Sequence, residues 1–127
     1  MSYYYARTVS CGFDEAIEKV TEALKEQGFG VLTTIDVSGT LKKKLGVDVP
    51  RQTILGACNP NYAHQALQME PHLGVLLPCN VVVRETDAGV EVAAVDAKAM
   101  LGVVGNTQMN EVAETVNGLM QKAVDAV

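Results

Sequence analysis

The sequence contains no tryptophan, only two phenylalanines and three cysteines, and its fifteen acidic residues outnumber ten basic ones. Each shortage excludes something. An odd cysteine count leaves at least one thiol unpaired, so the chain does not read as a secreted disulfide framework. A formal charge of −5 lacks the basic face of a general nucleic-acid binder, so no nucleic-acid partner is expected. No apolar run approaches the roughly 20 residues that cross a bilayer, so no membrane partner is expected. The opening MSYYYARTVS has neither the basic start nor the long apolar centre of a secretory signal. The expectation is a cytosolic protein whose cysteines are thiols. There is no domain-sized repeat, linker or low-complexity tract.

What is present is an ordinary globular balance, with 48% apolar and 20% charged residues. At 127 residues the chain is long enough for one domain, residues 1–127, with a core of its own. Tyr3 to Val9 is aromatic and β-branched and reads as a strand. Phe13, Ala16, Ile17, Val20, Ala23 and Leu24 then recur at helical spacing, with Ser10 as a candidate cap and Gly28 as the stop. Gly30 to Val37 reads as a second strand. Ser38 is a candidate cap for a brief helix through Leu45, which carries Lys42-Lys43-Lys44. This lysine run is either a solvated face or a small anion site.

Arg51 to Cys58 reads as a third strand, and Asn59-Pro60 suits the start of a helix ending near Glu70-Pro71. Leu73 to Arg84 is the most apolar stretch, interrupted by Pro78-Cys79-Asn80, which suggests a bulge or an edge position. Asp87-Ala88-Gly89 turns this stretch back into Val90 to Val95 as a hairpin. A helical turn around Lys98 to Leu101 and a glycine-marked loop lead to a last helix from Asn106, periodic from Met109 to Val127. Two long helices and about five strands predict an α+β fold: a two-layer sandwich, mostly antiparallel, with both long helices on one face. The strands are apolar on both sides. The uncovered face is therefore expected to pack against a second copy, giving a homodimer.

The segment ILGACNP at 54–60, with LPCNVVVRE at 77–85, resembles the domain-of-unknown-function family numbered 302. EAIEKVTEALKEQGFGVLTTIDV at 15–37 and LKKKLGVD at 41–48 fit the same pattern, so the resemblance spans essentially the whole chain. It implies a small α+β domain with a TATA-binding-protein-like arrangement and a tendency to dimerise. It implies no established activity, and the sequence names no particular cofactor, ligand or metal.

Chemistry is concentrated in the two Cys-Asn pairs. If their strands are neighbours, Cys58, Asn59, Cys79 and Asn80 lie at one end of the sheet, with His64 about a turn into the following helix. A thiol just before a helix start is placed where negative charge is favoured. Asn59 and Asn80 offer amide donors, and His64 an imidazole. Such a set can hold a small ligand, a soft metal ion or a redox couple. The plainer reading is that the cysteines are small buried hydrophobes, Asn59 is a cap and Pro78 marks a bulge. Cys11 lies outside both motifs. No Cys-x-x-Cys is present, His64 and His72 lack ligand spacing, Glu70 and Asp96 are single carboxylates, and Gly102 and Gly105 form no phosphate loop. The leading expectation is a homodimeric module binding a small ligand or metal ion at the Cys-Asn region. The alternative is a thiol-dependent enzyme or redox protein using Cys58.

Overall fold

The computed structural model describes residues 2–127 as a five-stranded antiparallel sheet with helices packed on one side. In chain order the strands are β1 (Tyr4–Val9), β2 (Gly30–Asp36), β3 (Gln52–Cys58), β4 (Cys79–Thr86) and β5 (Gly89–Val95). The helices are α1 (Phe13–Glu26), α2 (Val37–Leu45), α3 (Pro60–Met69), α4 (Ala97–Gly102) and α5 (Asn110–Asp125). Short 3₁₀ turns occupy Leu73–Leu76 and Thr107–Met109. The strands lie in the order β1-β5-β4-β3-β2, so β4 is central.

Helix α1 forms for the reasons its sequence states. Phe13, Ala16, Val20, Ala23 and Leu24 make one buried stripe, while Asp14 and Glu15 in its first turn complement the helix dipole. Its N-cap is Gly12, which supplies no side-chain bond, rather than Ser10. At the other end Gly28 N–H donates to the Lys25 carbonyl at 3.0 Å and Phe29 N–H to the Leu24 carbonyl at 2.9 Å. This is a Schellman stop. It needs a left-handed residue, supplied by Gly28 at φ 88°, and it turns Phe29 into the core.

The cap of α2 is Asp36, whose Oδ1 accepts from Gly39 N–H at 2.9 Å. Ser38 instead donates to Asp36 Oδ1 and accepts from Gln52 N–H, tying the helix to β3. The lysine run sits in the last turn of α2, where cations suit the carbonyl end. There Lys42 pairs with Asp48 at 2.9 Å.

The helix-covered face of the sheet carries Leu55, Ala57, Val81, Val83, Val92 and Ala94, all nearly inaccessible, against α1 and α5. A second, smaller apolar cluster joins Ala66, Leu73, Leu101, Met109 and Ala113 beneath α3 and α4. On the opposite face, Ile35, Ile54, Val82, Ala93 and Ala6 stand in register as one apolar row across all five strands. Beside that row Arg84 Nε donates to Glu91 Oε1 at 2.8 Å. Nothing within the described chain covers this face.

The expectations for the Pro78 stretch change as well. Pro78 lies outside the ladder, immediately before β4, so the central strand keeps all its donors. The pairing irregularity falls instead on β2, between Val31 and Thr33, and pushes Leu32 outward. Among the described residues no helix is long and apolar enough to cross a membrane.

Candidate functional site

The two apolar clusters do not close on each other. Helix α3 turns Tyr62, Ala63 and Ala66 toward Val112 and Val116 of α5, and the two alanines are too short to fill the gap. The result is a cavity of about 300 Å³ at the shared end of β3 and β4. That is the lower end of the range for small-molecule sites. Phe29, Leu73, Leu77, Met100 and Leu101 complete its apolar walls, and the displaced Leu32 stands exposed on its lining. Among the described residues no Asp, Glu, Lys, Arg or His lines it.

The cavity gathers three of the five residues singled out from the sequence. Cys58, Asn59 and Cys79 line it. Strands β3 and β4 are neighbours, with Ala57 opposite Cys79, which brings the two Cys-Asn pairs to one end of the sheet. His64 is exposed on α3 and does not line the cavity. Asn80 is exposed and points to the other side, where it borders a shallow hollow with Tyr4, Val82, Arg84 and Glu91.

Side chains alternate along a strand, so Ala57 and Cys79 share the helix-covered side while Cys58 leaves β3 toward the other. The cavity meets both thiols because it wraps around the strand ends. Thiols so directed do not have the facing Cβ geometry of a disulfide, and all three cysteines are free. Burial, with a smaller push from Cys58, raises the Cys79 thiol from 9.0 to about 11, so it stays protonated at neutral pH. Cys58 is half-buried. Among the described residues no group of three or more His, Cys, Asp or Glu is arranged to hold a metal ion.

Asn59 occupies the cap position of α3, yet its side chain makes no cap bond. Its carbonyl oxygen receives Ala63 N–H at 2.9 Å, while its side-chain Nδ2 donates at 3.4 Å to the Gln27 carbonyl at the end of α1. Gly28 is the neighbour that permits this approach, since a Cβ there would stand 3.0 Å from Nδ2. Asn59 therefore ties the α1 stop to the α3 start, and both ends present side chains to the cavity. Sequence reasoning found the thiols and Asn59. It missed the alanines of α3 and the valines of α5, because a hollow is made by what small residues fail to fill.

Comparison with known proteins agrees with this architecture. A family model described as a domain of unknown function, DUF302, matches residues 5–127. A crystal structure described as an uncharacterized conserved protein DUF302 from Bacillus stearothermophilus superposes with a TM-score of 0.94 at 29% identity. The alignment covers 99% of this chain and 98% of that one. No curated protein matches the sequence. With the match running through every strand and helix described above, the chain belongs to the DUF302 family.

Proposed function

We propose that the protein is a cytosolic, homodimeric binding module whose ligand is a small, uncharged, largely apolar molecule held beside Cys58 and Cys79. The observation that carries this reading is the lining of the cavity: apolar walls, two thiols and, among the described residues, no Asp, Glu, Lys, Arg or His to pair with a charged ligand. Transferring a charged group into such walls without a counter-charge costs many kcal/mol, so phosphorylated or carboxylated compounds are disfavoured. Of the two ligand types expected from the sequence, the small molecule is preferred, because the described residues offer no three-ligand metal cluster. Thiol chemistry at Cys58 is the weaker reading, since His64 is not on the cavity wall and no other base lines it. Three free thiols support a reducing compartment. The uncovered apolar row from Ile35 to Ala6 supports assembly through the open sheet face.

The test is a nuclear magnetic resonance titration with 1-naphthol and with its charged analogue 1-naphthyl phosphate. Binding of the neutral compound should shift amides of residues 57–63 and 77–79, and Ala63→Phe, which fills the hollow, should abolish those shifts. Equal binding of the phosphate, or shifts confined elsewhere, would overturn the proposal.

A further inference from the structure

The polar atom that Asn59 keeps free is an acceptor rather than the donor its sequence suggested. Asn59 is 9% exposed and lines the cavity. Its Nδ2 is committed to the Gln27 carbonyl. The reversed amide would set Oδ1 against that same carbonyl, two acceptors face to face, so the orientation is fixed. Among the described residues nothing donates to Oδ1. Nor is Oδ1 sealed in protein, because no described side-chain oxygen or nitrogen is both fully buried and without a partner. The oxygen therefore keeps some exposure, and the residue that carries it lines the hollow.

We infer that the cavity selects a neutral ligand with an apolar body and one N–H or O–H donor, which Asn59 Oδ1 accepts beside the Cys79 thiol. This deepens the binding-module reading and rests on it. The other side-chain oxygens of the lining belong to residues more open to solvent: Thr33 is exposed and Tyr62 half-buried. Asn59 Oδ1 is the acceptor that desolvation would leave unpaired when an apolar body fills the space. A donorless ligand then carries the cost of that orphaned carbonyl, and a donor-bearing one does not.

The experiment compares 1-naphthol with naphthalene and 1-methoxynaphthalene, which lack the donor and bracket it in size. Binding to the unmodified chain is followed by amide shifts and by the side-chain carbonyl carbon of Asn59. The expected result is that 1-naphthol binds about three- to tenfold more tightly than either, the range of one neutral hydrogen bond. It alone should shift the Asn59 carbonyl carbon. In Asn59→Ala the preference should vanish while naphthalene still binds. If Asn59→Ala does not fold, the three ligands on the unmodified chain decide the matter. Equal binding of all three at the cavity would overturn the inference and leave the cavity reading intact. A preference that survives in a folded Asn59→Ala would overturn it too. Absence of cavity shifts with any of the three would overturn both.

Discussion

Burial of the Cys79 thiol makes the fold sensitive to base in a way one substitution isolates. The thiol is 7% exposed, sits opposite Ala57 on the covered face of β4, and titrates near 11 instead of 9.0. A group whose pKa is raised on folding keeps its proton longer in the native state than in the unfolded one. Its contribution is intact below pH 9 and is lost as pH rises toward 11, because only the unfolded chain gains by ionising. Two units correspond to about 3 kcal/mol in full, and about half of that is lost by pH 10. Urea denaturation of the unmodified protein and of Cys79→Ala, at intervals from pH 7 to 10, measures the difference between them. Titrating groups that do not act on Cys79 affect both proteins and cancel, and Cys58, whose push on Cys79 is the smaller cause, adds a lesser difference. The unmodified protein should lose about 1.5 kcal/mol relative to Cys79→Ala over that range. A difference that stays flat would refute the claim that burial governs this thiol.

Three further outcomes follow from named contacts. Gly56→Ala should cost about 1–3 kcal/mol in urea denaturation, because the new Cβ would collide with Thr33 Oγ1 and stand 2.8 Å from the Pro78 ring, whose backbone attachment leaves it little room to move. The Asp36 carboxyl is held below its usual 3.8, first by Gly39 N–H and then by Ser38. Its cap is intact above that value and is lost as pH falls through the lowered one, so hydrogen exchange at the Gly39 amide should accelerate there while that of β4 amides does not. If copies pair through the open sheet face as proposed, the unmodified protein should sediment as a dimer and Val82→Glu, in the middle of the uncovered apolar row, as a monomer with unchanged circular dichroism; a monomeric unmodified protein would refute the pairing. An unaltered sedimentation coefficient would place the contact elsewhere.

Most of the fold was legible where periodicity and burial agree. The stripe Phe13 to Leu24, the Gly28 stop and the hairpin at Gly89 are local signals that the sheet and its helices only amplify. Local signals failed where a distant group decided the outcome. Ser10 and Ser38 have capping chemistry, but Gly12 and Asp36 hold the cap positions. Pro78 looked like damage to a strand. The strand simply begins after it, and the bulge belongs to Leu32, which nothing in β2 marks. Asn117 reads as one more polar residue of α5, yet it is buried, and its Oδ1 accepts Ala97 N–H at 2.9 Å to start α4. Such a bond joins residues twenty apart and has no signature in either segment.

The site was legible in its chemistry and opaque in its shape, and the reason is physical. Cysteine and asparagine announce themselves by residue type, so Cys58, Asn59 and Cys79 could be singled out before any geometry was known. Which of their atoms stay available depends on partners that only the fold supplies. The pairing of β3 with β4 brings the thiols to one end and sends Asn80 to the other face. The Schellman stop of α1 presents the Gln27 carbonyl, and that carbonyl takes the Asn59 donor and leaves its acceptor. Ala63 and Ala66 read as good helix formers, their effect on the space beside them invisible until α5 is laid across it. A donor predicted from residue type is thus spent inside the fold, and in the binding reading proposed above it is the acceptor left over that would tell one ligand from another.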